Sequence, residues 1–288
     1  MLKLVILIIY FAVLIGIGLY CRKHATDVNG FVLGGRSVGP WLTAFAYGTS
    51  YFSAVVFVGY AGQFGWKYGI AATWAGIGNA IIGSLLAWVV LGRRTRIMSQ
   101  HLDSATMPQY FGKRFGSNPL KIGASVIIFI FLIPYTASLY NGLSRLFGMA
   151  FNIDYSVCII IMATLTAIYV IAGGYMATAI NDFIQGIIML FGIIAVIAAV
   201  IHSKGGFMSA LQGLANVSDP AVSNTPGIFA SFFGPDPFNL LCVVILTSLG
   251  TWGLPQMVQK FYAIDNEASI QKLSLIHISE PTRPISIS

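Results

Sequence analysis

The chain has 288 residues, of which 57% are hydrophobic and only 9% charged, and it carries a formal net charge of +7. Ordinary soluble domains are about 25% charged, so this chain cannot clothe a globule in polar side chains, and a soluble enzyme, a disordered tail and a nucleic-acid-binding module are excluded. The mean hydropathy of +0.81 and repeated apolar runs of about 20 residues point to an all-α polytopic membrane protein.

In chain order, seven candidate spans are expected: Leu2–Cys21, Pro40–Trp66, Ile70–Leu91, Ile122–Phe147, Tyr155–Ala172, Ala177–His202 and Pro237–Tyr262. Only helices or closed barrels satisfy backbone polar groups in lipid, and these runs are too long and continuous for barrel strands. The first run lacks a small-residue cleavage site before Arg22-Lys23 and reads as a span rather than a signal peptide. Cys21, Cys158 and Cys242 lie far apart in apolar surroundings, without metal-ligand spacing, and read as packing residues.

Basic residues orient the spans. One set of loops carries eleven, among them Arg22, Lys23, Arg36, Arg93, Arg94, Arg96 and Lys260; the opposite set carries four, Lys3, Lys67, Arg145 and Lys204. The positive-inside rule then predicts an extracellular N-terminus and a seventh span ending in the cytoplasm of a plasma-membrane protein. The segment Ser203 to Asp236 reads as an outer surface loop with a short amphipathic helix. Leu273–Ser288 has neither a span nor helical periodicity. It resembles a translated sequencing-adapter tail and is expected to be non-native, the alternative being a genuine disordered tail.

Two spans are rich in helix breakers. The second contains Tyr47-Gly48-Thr49-Ser50-Tyr51-Phe52-Ser53-Ala54, and the seventh contains Thr247-Ser248-Leu249-Gly250-Thr251-Trp252-Gly253-Leu254-Pro255-Gln256. Proline removes a backbone donor, glycine weakens the helix, and hydroxyls offer freed backbone groups other partners. Unwound backbone at membrane depth is tolerated where it lines a cavity, and there its carbonyls can hold a hard cation. Small residues that merely let helices pack closely are the competing explanation.

Asp182 is the one acid in the apolar part of a span, and two readings stay open for it: an ion-path residue or a helix cap near the start of the sixth span. No basic residue is expected deep in any span, so no salt bridge to Asp182 is anticipated.

At Gly34-Gly35-Arg36-Ser37-Val38-Gly39-Pro40-Trp41 and Thr49-Ser50-Tyr51-Phe52-Ser53-Ala54 the chain resembles the sodium:solute symporter family. Further matches are Gly173-Gly174-Tyr175 with Asp182 and Gln185, and the run from Trp252 to Phe261. The resemblance covers residues 1–272 and implies a leucine-transporter-type inverted-repeat fold, truncated after the first helix of the second repeat. It implies sodium binding by Thr49 and Phe52 with Ser53 beside them, and by Asp182 at a second site. It implies substrate contacts at Ser53, Val56, Asn79, Tyr135, Trp252 and Gln256. Tyr51 stands where proline carriers of the family have an aspartate, which argues against a close proline-type sodium site. The helix holding Tyr135 also lacks the arginine of sialic acid carriers.

The resulting expectation is sodium-coupled symport of a small organic solute by alternating access, with sodium as coupling ion and no other cofactor. Without basic residues in the core, a neutral or zwitterionic solute is favoured, and the other partner is the lipid bilayer rather than nucleic acid. An inert, truncated fragment of such a transporter is the alternative. A membrane enzyme is disfavoured because His24, His101, His202 and His277 form no ligand or nucleophile–base pair.

Overall fold

A computed structural model describes residues 2–51 and 61–270. Four helices in it are long and apolar enough to cross a membrane: Leu4–Cys21, Ala61–His101, Asn118–Phe151 and Tyr155–Ser203. The pair Pro237–Gly253 and Pro255–Ala263, bent by 53° at the break, is together long and apolar enough for a fifth, as a broken span or a re-entrant loop. No strand occurs among the described residues, and the architecture is that of a multi-pass helical membrane protein.

The chain-order labels used below are α1 (Leu2–Cys21), α2 (Val28–Leu33), α3 (Pro40–Tyr51), α4 (Ala61–His101), α5 (Met107–Phe115), α6 (Asn118–Phe151), α7 (Tyr155–Ser203), α8 (Phe207–Ala215), α9 (Pro237–Gly250) and α10 (Pro255–Ala263). Of the expected second span, α3 and the first residues of α4 are described; residues 52–60 lie between them and outside the described residues. The chain turns at Gly69, where φ is +61° and a Cβ would collide with the Phe229 carbonyl.

The fifth and sixth expected spans form one 49-residue helix, α7, with Gly174 inside it at φ 58° and ψ −151°. At about 1.5 Å per residue such a helix is more than twice the hydrocarbon thickness, so the interruption at Gly174 makes it two crossings. Only glycine adopts that backbone region readily. A Cβ there would also stand 2.8 Å from the Phe31 carbonyl oxygen.

Small residues set the packing of the first and fifth spans, because a Cβ on Gly18 would lie 2.8 Å from the Tyr169 carbonyl oxygen. The core centres on α10, whose Met257, Val258, Phe261, Tyr262 and Ala263 are all buried. Phe261 meets Trp88 edge to face at 4.6 Å, and Trp88 meets Tyr47 at 5.4 Å. The bent second half of the seventh span therefore plugs the space between α3 and α4.

Two arginines hold one end of this bundle. Arg36 donates to the Ser99 and Ser104 carbonyls, the Ser99 hydroxyl and the Tyr262 carbonyl. Arg96 donates to the Ile264 and Asp265 carbonyls and to Gln100. Burial, then the neighbouring Arg96 charge, pulls the Arg36 guanidinium below its ordinary range. The segment 203–236 contains the short helix α8 and folds over the far end of α4, where Trp74 donates to the Phe232 carbonyl at 3.0 Å. Cys21 and Cys158 are buried as expected of packing residues, whereas Cys242 is exposed.

Candidate functional site

A cavity of about 790 Å³ lies between α3, α6 and the break that precedes α10. Its polar lining includes Thr49, Ser50, Tyr135, Gln256 and Gln259, and Ala105–Pro108 closes one end. Among the described residues, no charged side chain lines it. Its volume falls within the range of small-molecule sites, about 300–1,000 Å³.

The local sequence explains why polar groups gather there. Pro255 opens α10 after Leu254 has turned to extended backbone, and this places Gln256 in the first turn of the new helix. Pro134 withdraws a backbone donor inside α6 one residue before Tyr135, which leaves the Ile130 carbonyl without its helical partner. On α3, Thr49 and Ser50 are still helical. The Thr49 hydroxyl turns back to the Phe45 carbonyl at 2.9 Å.

Gln256 differs from its neighbours. Both its amide oxygen and its amide nitrogen are buried without a hydrogen-bond partner among the described residues. Gln259, also at the wall, donates to the Val32 carbonyl. Buried polar groups are nearly always paired, so an unpartnered amide at a cavity wall marks hydrogen-bonding capacity that the protein itself leaves unused.

Next to the cavity a hydroxyl network ties the two breaker-rich spans through the third. Tyr51 donates to Asn79 Oδ1 at 2.9 Å, and Ser248 donates to the same oxygen at 3.0 Å. The Thr251 hydroxyl stands 3.2 Å from the Tyr51 oxygen. Asn79 opens a stretch of π-helix, Asn79–Leu86, in which the usual carbonyl pairing is shifted. Two carbonyls of that stretch receive side-chain donors, Gly83 from Tyr47 at 3.1 Å and Ile82 from Trp252 at 3.0 Å.

Of the residues expected at the sites, Thr49, Tyr135 and Gln256 meet in the cavity. Asn79 and Trp252 belong to the adjoining network and not to the cavity lining. Phe52, Ser53 and Val56 lie outside the described residues. Asp182 stands apart, in a buried ion pair with Lys260 at 3.6 Å.

That pair corrects the expectation that no basic residue lies deep in a span. Lys260 was counted among the loop charges, which now stand at ten to four. Its position five residues after Pro255, between the buried Val258 and Phe261, was the available signal. Once the helix restarts at Pro255, Lys260 turns inward with the apolar face of α10. The Tyr51–Asn79–Ser248 contacts had no such signal. No group of three or more metal-ligating side chains occurs among the described residues.

A helical chain with several long apolar helices, one pair of them broken beside an uncharged, largely apolar cavity, has the architecture of a multi-pass membrane protein. The sodium:solute symporter family model matches residues 31–279, and the chain belongs to that family. Proteins described as sodium/proline symporters from Staphylococcus aureus strains JH9, JH1 and COL are each 31% identical over 285 residues. The aligned region is 96% of this chain and 52% of each relative, so the chain spans about half the length of the curated relatives it matches.

Proposed function

We propose that the chain forms the first part of a sodium-coupled symporter for a small neutral or zwitterionic solute in the plasma membrane. Its architecture is then a leucine-transporter-type inverted repeat with the N-terminus outside. The observation that carries this reading is the cavity between the two breaker-rich spans, uncharged and bordered by the unpartnered Gln256 amide. An amide supplies both N–H donors and an acceptor oxygen, which suits the carboxylate and amino group of a zwitterion without adding net charge. Proline is the first solute to test, since it is the one named for the relatives. Thr49, with Phe52 and Ser53 beyond it, would hold sodium through carbonyl and hydroxyl oxygens, and substrate binding would stabilise the ion-loaded state.

The half-length match supports a second reading for the chain alone, a folded unit that transports nothing by itself. Both readings are tested in proteoliposomes with an imposed sodium gradient. The chain as given and the chain continued to the length of its relatives are compared for uptake of radiolabelled proline, then of other zwitterions. The longer form should take up solute only with sodium, and the given chain should take up none. Uptake by the longer form that is unchanged when potassium replaces sodium refutes the symporter reading. Uptake by the given chain refutes the second.

A further inference from the structure

Asp182 and Lys260 are unequal partners. The lysine side chain is only 5% exposed, the aspartate side chain 17%, and Nζ stands 3.6 Å from Oδ2. Charge-assisted hydrogen bonds between such groups are about 2.7–2.9 Å long. The pair is therefore an electrostatic contact rather than a tight hydrogen bond, with the carboxylate as the more open member. Lys260 Nζ also sits 5.0 Å above the centre of the Tyr175 ring, a second resting place for a cation. The Tyr175 hydroxyl and both amide atoms of Asn181, the neighbour of Asp182, are buried without partners. The pair further joins two elements that are each interrupted. Asp182 lies on α7 beyond the Gly174 interruption, and Lys260 lies on α10 beyond the 53° bend.

We infer that Lys260 is a tethered cation on Asp182 that sodium must displace, so that sodium on the carboxylate breaks the ion pair between α10 and the sixth span. An ammonium and a sodium ion carry the same charge and compete for the same oxygens. Leaving a buried carboxylate without a cation is costly, so one of the two occupies it at all times. When sodium takes the carboxylate, the Tyr175 face retains the ammonium. The ion pair between α7 and α10 is then lost, while α10 keeps its apolar contacts with Tyr47, Trp88 and Tyr175. The inference rests on the sodium-coupled reading above and adds a cation-controlled contact to it.

Every residue involved lies in this chain, so the test is sodium binding rather than transport. The purified chain in detergent is titrated with sodium chloride, with choline chloride holding ionic strength constant, and its thermal midpoint is followed. Lys260→Gln should lower the half-saturating sodium concentration by about tenfold, the order expected when a charge-assisted partner no longer competes. Lys260→Arg, which keeps the competing charge, should titrate close to the parent, and the double variant Asp182→Asn/Lys260→Gln should lose the response. Identical titrations of parent and Lys260→Gln, no response in Lys260→Gln, or a Lys260→Arg curve that follows Lys260→Gln each overturn the inference. If Lys260→Gln does not fold, the double variant decides: a parent-like response overturns the inference and a lost response upholds it. Sodium-dependent uptake without the Lys260→Gln shift fails this inference alone. The shift without sodium-dependent uptake fails the transport reading alone.

Discussion

Replacing Gln256 by leucine should make the protein more stable and its solute binding worse. The side chain borders the cavity, and its amide oxygen and nitrogen are both buried and unpartnered. In mutational series, a buried polar group without a partner costs about 1–3 kcal/mol. Leucine is of similar size and has no polar atom to strand, so Gln256→Leu should recover most of that cost. At about 2–4 °C per kcal/mol for a chain of this class, the thermal midpoint in detergent should rise by several degrees. A solute carboxylate or amino group held by the amide would lose a hydrogen bond between a charged and a neutral group, about 1.5–3 kcal/mol. The half-saturating solute concentration should then rise about 10- to 100-fold. Thermal unfolding of the purified chain measures the first effect, and solute-dependent uptake by the full-length form measures the second. A lowered midpoint would show that the amide is satisfied in the folded protein. A raised midpoint with unchanged solute dependence would show that it does not face the solute.

Three further outcomes are expected. Gly174→Ala should destabilise the chain by at least about 1–3 kcal/mol, since the backbone there has φ 58° and ψ −151° and a Cβ would crowd the Phe31 carbonyl; an unchanged thermal midpoint would refute the described interruption. Asp182→Asn alone leaves the buried Lys260 ammonium without its partner and should cost about 3–5 kcal/mol, most of it recovered in the double variant with Lys260→Gln. Additive losses in that cycle would show that the ion pair does not couple the two residues. Ser117→Cys, in a background without Cys21, Cys158 and Cys242, should resist an impermeant thiol reagent applied to intact cells, because Ser117 precedes α6 on the side assigned to the cytoplasm; ready labelling reverses the topology.

Composition and breaker residues alone determined the class and several of the places where helices break. Lipid forces each long apolar run into a helix; Gly69 and Gly174 interrupt the helices near expected boundaries because glycine adopts positive φ readily, and Leu254-Pro255 breaks the expected seventh span where its breaker residues stand. The motif from Trp252 to Phe261 also placed Gln256 at a break before any fold was known.

Only the tertiary structure decided which residues meet. In water, an apolar stripe tells which face of a helix packs inward, but lipid is as apolar as leucine, so a span that is apolar all round does not mark its packing face. The contacts of Tyr51 with Asn79 and of Asn79 with Ser248, and the pairing of Lys260 with Asp182, join residues far apart in the chain. They depend on how far the helix turns at each break. Lys260 shows this most directly: by composition it is a loop charge, and the bend before Pro255 carries it into the core beside the one acid in the apolar part of a span.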